Sequence, residues 1–327
     1  MSVYKAKTPV EEVRESVLAP EEYETLPEDM FTSLSSEDKQ AEEIARPSTS
    51  YWQDVWYRFR KDPLAMGGMI FIIILALAAI FGPMISPYTY DGQDILNGNL
   101  PPCWAHPFGT DKFGRDILVR VLYGARISLT IGVVAAVINL CIGVLYGGIA
   151  GYIGKRVDMI MMRIVDILIG LPSLLYIVLI MMVLGSNITS VIIALCITSW
   201  IGTARVVRSE VLTHKNAEYV LAAKLCGESR WRILISHLIP NSMGPIIVTT
   251  AFLIPNAIFS EAFLSFLGIG IAVPQASWGT LANDAIPYIM TQPYQMFFPV
   301  LAICLTMFSL NFIGDGLRDA LDPRLKK

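Results

Sequence analysis

Six long apolar stretches limit the fold of this sequence more than any other feature. They lie at about 64–85, 127–150, 159–184, 188–204, 243–267 and 295–314. A helix needs about 20 apolar residues to cross a hydrocarbon core of about 30 Å. Because lipid offers no hydrogen bonds to an unpaired backbone, segments that span it must be helical. The sequence therefore predicts an all-α membrane protein with six transmembrane helices.

The overall composition supports a membrane protein over a soluble one. Hydrophobic residues make up 54% of the 327 residues, and charged residues only 16%. A typical soluble domain carries about 25% charged residues, which cover its wet surface. A soluble chain this apolar would lack polar surface, whereas a chain embedded in lipid does not need it.

The N-terminal part of the chain differs in character from the rest. Residues 1–50 hold twelve Asp and Glu residues against five Lys and Arg residues. Such composition predicts an acidic, disordered tail. Residues 51–63 mix aromatic side chains with basic ones, which predicts an amphipathic helix lying at the membrane interface. Residues 64–327 then form the transmembrane domain, with a long loop at 205–242.

The distribution of Lys and Arg predicts the orientation in the membrane. Basic residues lie between the second and third stretches, between the fourth and fifth, and after the sixth. Segments 86–111, 185–187 and 268–294 contain no Lys or Arg. Since cytoplasmic loops carry the excess of basic residues, both termini are predicted to be cytoplasmic. The basic segment 112–126 disagrees, and we interpret it as an amphipathic helix on the outer surface, paired with Asp111 and Asp116.

The loop at 205–242 has the composition of a docking site. Residues 218–241 read EYVLAAKLCGESRWRILISHLIPN, with apolar residues mixed among charges and small residues at helical spacing. An exposed segment this apolar is typical of a surface that another protein covers. The pattern predicts a short helix, a turn at Gly227 and re-entry into the membrane at Pro240.

This loop resembles the EAA motif of ABC importer permeases. Ala222, Ala223 and Gly227 match the motif spacing, and Ile239-Pro240 matches its end. Leu221 occupies the usual Glu position, and the preceding Glu218-Tyr219 is typical of the dipeptide/oligopeptide/nickel subgroup. Segments 106–129, 260–279 and 311–324 resemble the same subgroup, so that the resemblance covers about 64–327. These segments look like the second, C-type permease of oligopeptide importers.

The resemblance implies a type I ABC importer permease fold and a set of partners. These are a homologous permease forming a heterodimer, two cytoplasmic ABC ATPase subunits, an extracellular peptide-binding protein and membrane lipid, but no nucleic acid. ATP and Mg would be bound by the ATPase subunits. The implied location is the bacterial plasma membrane. The residues implied to couple to the ATPase are Glu218, Tyr219, Ala222, Ala223, Gly227, Arg230, Trp231 and Arg232.

The chain itself carries no motif for ATP hydrolysis. Gly154-Lys155 comes closest to a phosphate-binding loop, but Ile149 replaces its first Gly and Arg156 follows the Lys. The sequence also shows no nucleophile–base triad and no metal-ligand spacing. We therefore expect no enzyme activity, no bound cofactor and no metal in this chain.

Four further residues stand out as candidate site residues. Asp166 and Glu261 lie inside apolar stretches, where ionisable residues are costly. They either line the substrate pathway or a gate, or fix helix packing, with Arg163 as a local partner for Asp166. Trp278 and Tyr288 either contact the binding protein or anchor the chain at the interface.

Other classes of function remain open at this point. A nickel-chelate importer uses a similar permease. An ion-coupled secondary transporter or channel would favour paired membrane charges and inverted repeats. A membrane scaffold would need no apolar cytoplasmic loop. Dependence on a separate ATPase distinguishes an ABC permease from the last two.

Overall fold

The computed structural model describes residues 50–197, 199–272 and 275–322. Over these ranges the chain is helical, and its one extended pairing is the isolated bridge between Thr110 and Asp116. The predicted acidic tail lies outside the described residues, apart from Ser50. The helices are α1 (Tyr51–Lys61), α2 (Pro63–Ile85), α3 (Ile117–Ile153), α4 (Lys155–Gly170), α5 (Ser173–Leu184), α6 (Ile188–Cys196), α7 (Trp200–His214), α8 (Glu218–Leu225), α9 (Arg230–Arg232), α10 (Ile239–Asn241), α11 (Met243–Phe266), α12 (Trp278–Ala285) and α13 (Tyr294–Leu321).

Helix α1 occupies the segment predicted to lie at the interface. Its buried residues Val55 and Phe59 pack with Ala65, Ala320 and Leu321, so that α1 is held against the ends of α2 and α13. The next helix begins immediately, because Asp62 caps α2 and accepts a 2.9 Å hydrogen bond from the Leu64 amide. The interfacial position of α1 stays a prediction.

The long apolar helices agree with the predicted spans. Within the described residues, five are long and apolar enough to cross a membrane: α2, α3, the segment Ile188–His214, α11 and α13. The pair α4–α5 passes the same test together but is bent by 83°. The bend falls at Leu171 and Pro172, where the proline cannot continue the helix. Counting the bent pair as one span gives the predicted six.

Two predicted boundaries are wrong. Residues 112–126 do not form a separate outer helix, because α3 begins at Ile117 and runs without a break to Ile153. Its N-cap is Asp116, whose carboxylate accepts a 2.8 Å hydrogen bond from the Val119 amide. The loop predicted at 205–242 also begins later, since α7 continues to His214.

Helix α3 packs closely against α7 through a row of small residues. A Cβ at Gly143 would lie 2.6 Å from the Thr203 Cβ, and one at Gly151 would lie 2.9 Å from the Arg208 carbonyl oxygen. A Cβ at Gly147, between them, would overlap the Ala204 carbonyl. The four-residue spacing of these glycines therefore lets two spanning helices of the same chain approach closely, as in other membrane helix pairs.

Candidate functional site

A sharp reversal of the chain follows α8 at Gly227. This residue has a φ of +78°, which glycine adopts without strain. The Gly227 amide donates to the Lys224 carbonyl, and the Glu228 amide donates to the Ala223 carbonyl, both at 3.1 Å. This pair of bonds is a Schellman motif and satisfies the last carbonyls of α8. The helix thus ends where the sequence predicted a turn.

The two faces of α8 have different environments. Val220 is fully buried and Ala223 is 8% exposed, and both belong to an apolar cluster on the inner side. The opposite face carries Glu218, Leu221, Ala222 and Leu225, all exposed. We call these four residues the outer face of α8. Leu225 is 89% exposed, so the structure leaves a large apolar side chain uncovered.

The inner face fixes α8 to the membrane-spanning helices. The same cluster contains Val207 and Val211 of α7, and Ile246 of α11. In addition, the Lys215 ammonium donates to the carbonyls of Gly151 and Tyr152 at the end of α3, each at 3.2 Å. A displacement of α8 would therefore be transmitted to three spanning helices.

The second limb of the loop is a continuous but irregular helix. Ser229 caps α9 through a 3.3 Å bond from the Arg232 amide, and a π-helical segment, Ile233–Leu238, connects α9 to α10. Glu228 binds His237 at 2.9 Å across this limb. Such π-helical turns often occur at functional sites. Here the wider turn comes just before Pro240, which has no amide hydrogen to donate.

The predicted coupling residues fall into two groups. Seven are exposed on one structured loop: Glu218, Tyr219, Ala222, Gly227, Arg230, Trp231 and Arg232. Ala223 points inward instead, and its small size lets α8 pack against its own chain. Leu221 and Leu225 were not among the predicted coupling residues, although their spacing from Glu218 places them on the same helix face. Partial burial raises the pKa of the Tyr219 phenol above its ordinary value.

Glu261 ties helices together in the membrane domain. Its side chain is fully buried and accepts hydrogen bonds from Ser128 on α3 at 2.9 Å and from Ser265 at 2.8 Å. Such contacts are expected if Glu261 fixes the packing of the helices and does not line the pathway. In this conformation the carboxylate does not face an open passage.

Asp166 has a different partner from the one predicted. Its carboxylate accepts a 2.9 Å hydrogen bond from Arg205 on α7, and the expected local pair with Arg163 is wrong. The ion pair is open to its surroundings, with side chains 50% and 52% exposed. Because lipid disfavours exposed charges, the surface around the Asp166–Arg205 pair should contact water or another protein chain.

Trp278 is not available as a contact for a binding protein. The side chain is fully buried, and its indole N–H donates to the Val121 carbonyl at 2.9 Å. The interpretation of this residue as a surface contact or interfacial anchor is therefore wrong. It packs α12 against α3, next to Gly124. Tyr288 lies in a 3₁₀ turn, Ile286–Tyr288, and is partly exposed.

A buried ion cluster on the predicted outer side was not predicted as a unit. Asp111 binds the guanidinium groups of Arg115 and Arg120, and Asp284 of α12 lies 3.8 Å and 3.6 Å from the same two groups. Arg115 is 6% exposed and Arg120 only 1%. Asp116 does not pair with these arginines and binds His106 at 2.8 Å. Arg115 and Arg120, two of the four basic residues of segment 112–126, thus form internal ion pairs and are not surface charges of the kind that the orientation rule counts.

Comparisons with known proteins agree with this architecture. Residues 143–327 match the family described as "Binding-protein-dependent transport system inner membrane component". Residues 50–102 match the "N-terminal TM domain of oligopeptide transport permease C". The dipeptide transport system permease protein DppC of Bacillus subtilis is 48% identical, over 94% of this chain and 97% of its own length. The oligopeptide permease OppC of the same organism is 51% identical, over 93% of this chain and 100% of its own length.

A permease from a second bacterium is also similar to this chain. OppC of Haemophilus influenzae is 41% identical, over 86% of this chain and 92% of its own length. The chain therefore belongs to the family of binding-protein-dependent inner membrane transport components, the permeases of ABC importers. Within that family it is a C-type permease of the oligopeptide/dipeptide group.

Family membership confirms several predictions. The chain is a multi-pass protein of the bacterial plasma membrane. It is a transport component and not an enzyme, because ATP hydrolysis in these importers belongs to separate ATPase subunits.

Proposed function

We propose that this chain is a permease subunit of an ATP-driven importer of peptides and forms half of the translocation pathway. The exposed apolar face of α8, anchored through its inner face to α7 and α11, is the observation that carries this proposal. The names of the relatives, which are dipeptide and oligopeptide permeases, support peptide as the substrate class.

The proposed assembly contains four kinds of component besides this chain. A homologous permease completes the pathway, two ATPase subunits bind ATP and Mg, an extracellular peptide-binding protein delivers the substrate, and lipid surrounds the complex. ATPase closure would press on the outer face of α8. Because Val220 and Lys215 fix this region to α7, α11 and the end of α3, the motion would reach the spanning helices directly. The pathway would then switch between inward-open and outward-open states.

The proposed orientation places both termini in the cytoplasm, and the native cysteines offer a test. Cys103 and Cys226 are both exposed, on opposite sides of the proposed membrane. In variants that keep only one of these two cysteines, an impermeant maleimide should label Cys103 in intact cells and Cys226 only after permeabilisation. The reverse pattern would invert the orientation and place α8 outside.

Uptake of peptides tests the proposed function in cells. A strain lacking this chain should import little labelled di- or tripeptide, and the restored chain should recover import. Nickel uptake should not change. Import driven by a proton gradient after ATP depletion would contradict the proposal and favour a secondary transporter.

Of the two pathway candidates we propose Asp166 in preference to Glu261, because the pair of Asp166 with Arg205 is half exposed whereas Glu261 is buried. In the same uptake assay, Asp166→Asn should lower import without loss of the ATPase subunits from the complex. Unchanged import would remove Asp166 from the pathway.

A further inference from the structure

Helix α4 carries an arginine that has no partner among the described residues. Arg163 is exposed, and within the described part of the chain it makes no hydrogen bond, ion pair or ring contact. It lies about 12 Å along the helix axis from Lys155, at about 1.5 Å per residue. Because α4 and α5 together qualify as one membrane span, a free charge at this position needs water or an anion beside it.

The two acidic residues nearest to Arg163 on α4 are occupied by α7. Asp158 accepts a bond from Arg208 at 2.6 Å, and Asp166 accepts one from Arg205 at 2.9 Å. Arg163 lies three residues before Asp166, so that the two residues have neighbouring positions on one side of α4. We call Arg163, Asp166 and Arg205 the α4 polar group. It contains two cations and one anion, which leaves an excess of one positive charge.

The break between α4 and α5 is also open to the surroundings. Helix α4 ends at Gly170, four residues after Asp166, and Leu171 in the break is 54% exposed. Non-helical backbone is tolerated at membrane depth only where protein buries it or where it lines a water-filled cavity. The break and the charges of the α4 polar group therefore both argue against lipid at this surface.

Small residues leave space beside the ion pair of this group. Gly170 lies one turn after Asp166 on α4, and Gly202 lies one turn before Arg205 on α7. Among the described residues, a Cβ added to either glycine would meet nothing beyond its own helix within 4 Å. A ligand main chain can therefore approach the polar group closely from this side.

We infer that Arg163 binds the terminal carboxylate of the transported peptide, next to the Asp166–Arg205 pair. The inference rests on the proposed function and deepens it. Peptides of any sequence share a main chain and one terminal carboxylate, so a site for these features accepts many side chains. A guanidinium group binds a carboxylate through two parallel hydrogen bonds. The single excess positive charge of the α4 polar group complements the single negative charge of that carboxylate.

Peptide binding to the purified complex in nanodiscs, without the binding protein, tests the inference. The probes are trialanine and its C-terminal amide, and saturation-transfer NMR measures their dissociation constants. The wild-type complex should bind trialanine at least about tenfold more tightly than the amide, because only trialanine has the carboxylate. Arg163→Gln should weaken trialanine binding to the level of the amide and leave amide binding unchanged. Arg163→Lys should restore part of the preference.

Arg156→Gln is the matched control for these variants. Arg156 is an exposed arginine in the first turn of α4, and it too has no partner among the residues that the structure describes. It lies about 10 Å from Arg163 along the helix axis. The control should bind both peptides as the wild type does.

The possible outcomes separate this inference from the proposed function. Equal binding of the two probes by the wild-type complex, or no binding of either, would overturn the inference. Unchanged trialanine binding in Arg163→Gln would do the same. Loss of the second permease from Arg163→Gln but not from Arg156→Gln would also overturn it, because Arg163 would then belong to the subunit interface. If the complete wild-type complex imports no peptide with binding protein and ATP, the proposed function itself fails.

Discussion

Replacing Leu225 by Glu is expected to remove the ATPase subunits from the purified complex and to abolish peptide uptake. Leu225 is 89% exposed on the outer face of α8, beside Leu221, which is 46% exposed. If an ATPase covers this face, the new carboxylate is buried without a partner, at a cost of several kcal/mol. A loss of about 3 kcal/mol weakens binding more than 100-fold. Co-purification from membranes, quantified as ATPase per permease, measures the effect.

The same substitution should hardly change the fold of the permease itself. Exposed positions usually alter the free energy of unfolding by less than about 0.5 kcal/mol. Leu96→Glu is the matched control, because Leu96 is 96% exposed and lies on the proposed outer side. This control should retain the ATPase subunits. Equal ATPase content in wild type, Leu225→Glu and Leu96→Glu would show that the outer face of α8 is not the coupling surface.

Replacing Asp111 by Asn is expected to destabilise the protein more than any single surface change. The Asp111 carboxylate accepts bonds from Arg115 and Arg120 and from the Phe113 and Arg115 amides. Without its charge, two nearly buried guanidinium groups retain only Asp284, at 3.6 Å or more. Breaking a buried ion pair by removing one partner costs about 3–5 kcal/mol. Thermal unfolding of the purified permease should show a clearly lowered midpoint.

Asp284→Asn provides the comparison for this prediction. Asp284 is 33% exposed in its side chain and makes only the two longer contacts, so its loss should cost about 1 kcal/mol or less. A midpoint for Asp111→Asn no lower than that of Asp284→Asn would contradict the central role of Asp111 in the cluster.

The spans and the turn at Gly227 were predictable because they depend on local sequence. An apolar stretch of sufficient length must be a helix in lipid, and a glycine at the end of a short amphipathic helix favours the left-handed conformation found at Gly227. The start of α3 was missed because it depends on an ion pair that forms only in the folded chain. Arg120 looks like a surface residue in sequence, but Asp111 neutralises it and allows the helix to begin ten residues earlier.

Contacts between distant parts of the chain were not predictable. Asp166 pairs with Arg205, 39 residues away, and not with Arg163 on its own helix. Trp278 donates to the carbonyl of Val121, 157 residues away. Neither the spacing nor the composition of a single sequence identifies such partners. The exposed face of α8 could have been predicted, since Glu218, Leu221 and Leu225 lie at helical spacing.

Transport by the reconstituted complex tests the central claim most directly. The measurement is accumulation of labelled peptide in proteoliposomes that contain this chain, the second permease and the ATPase subunits, with binding protein and peptide on the side of Cys103 and ATP on the side of α8. The account predicts uptake that requires ATP and binding protein and that Leu225→Glu abolishes. Equal uptake by this chain alone, driven by an ion gradient without any ATPase, would contradict it.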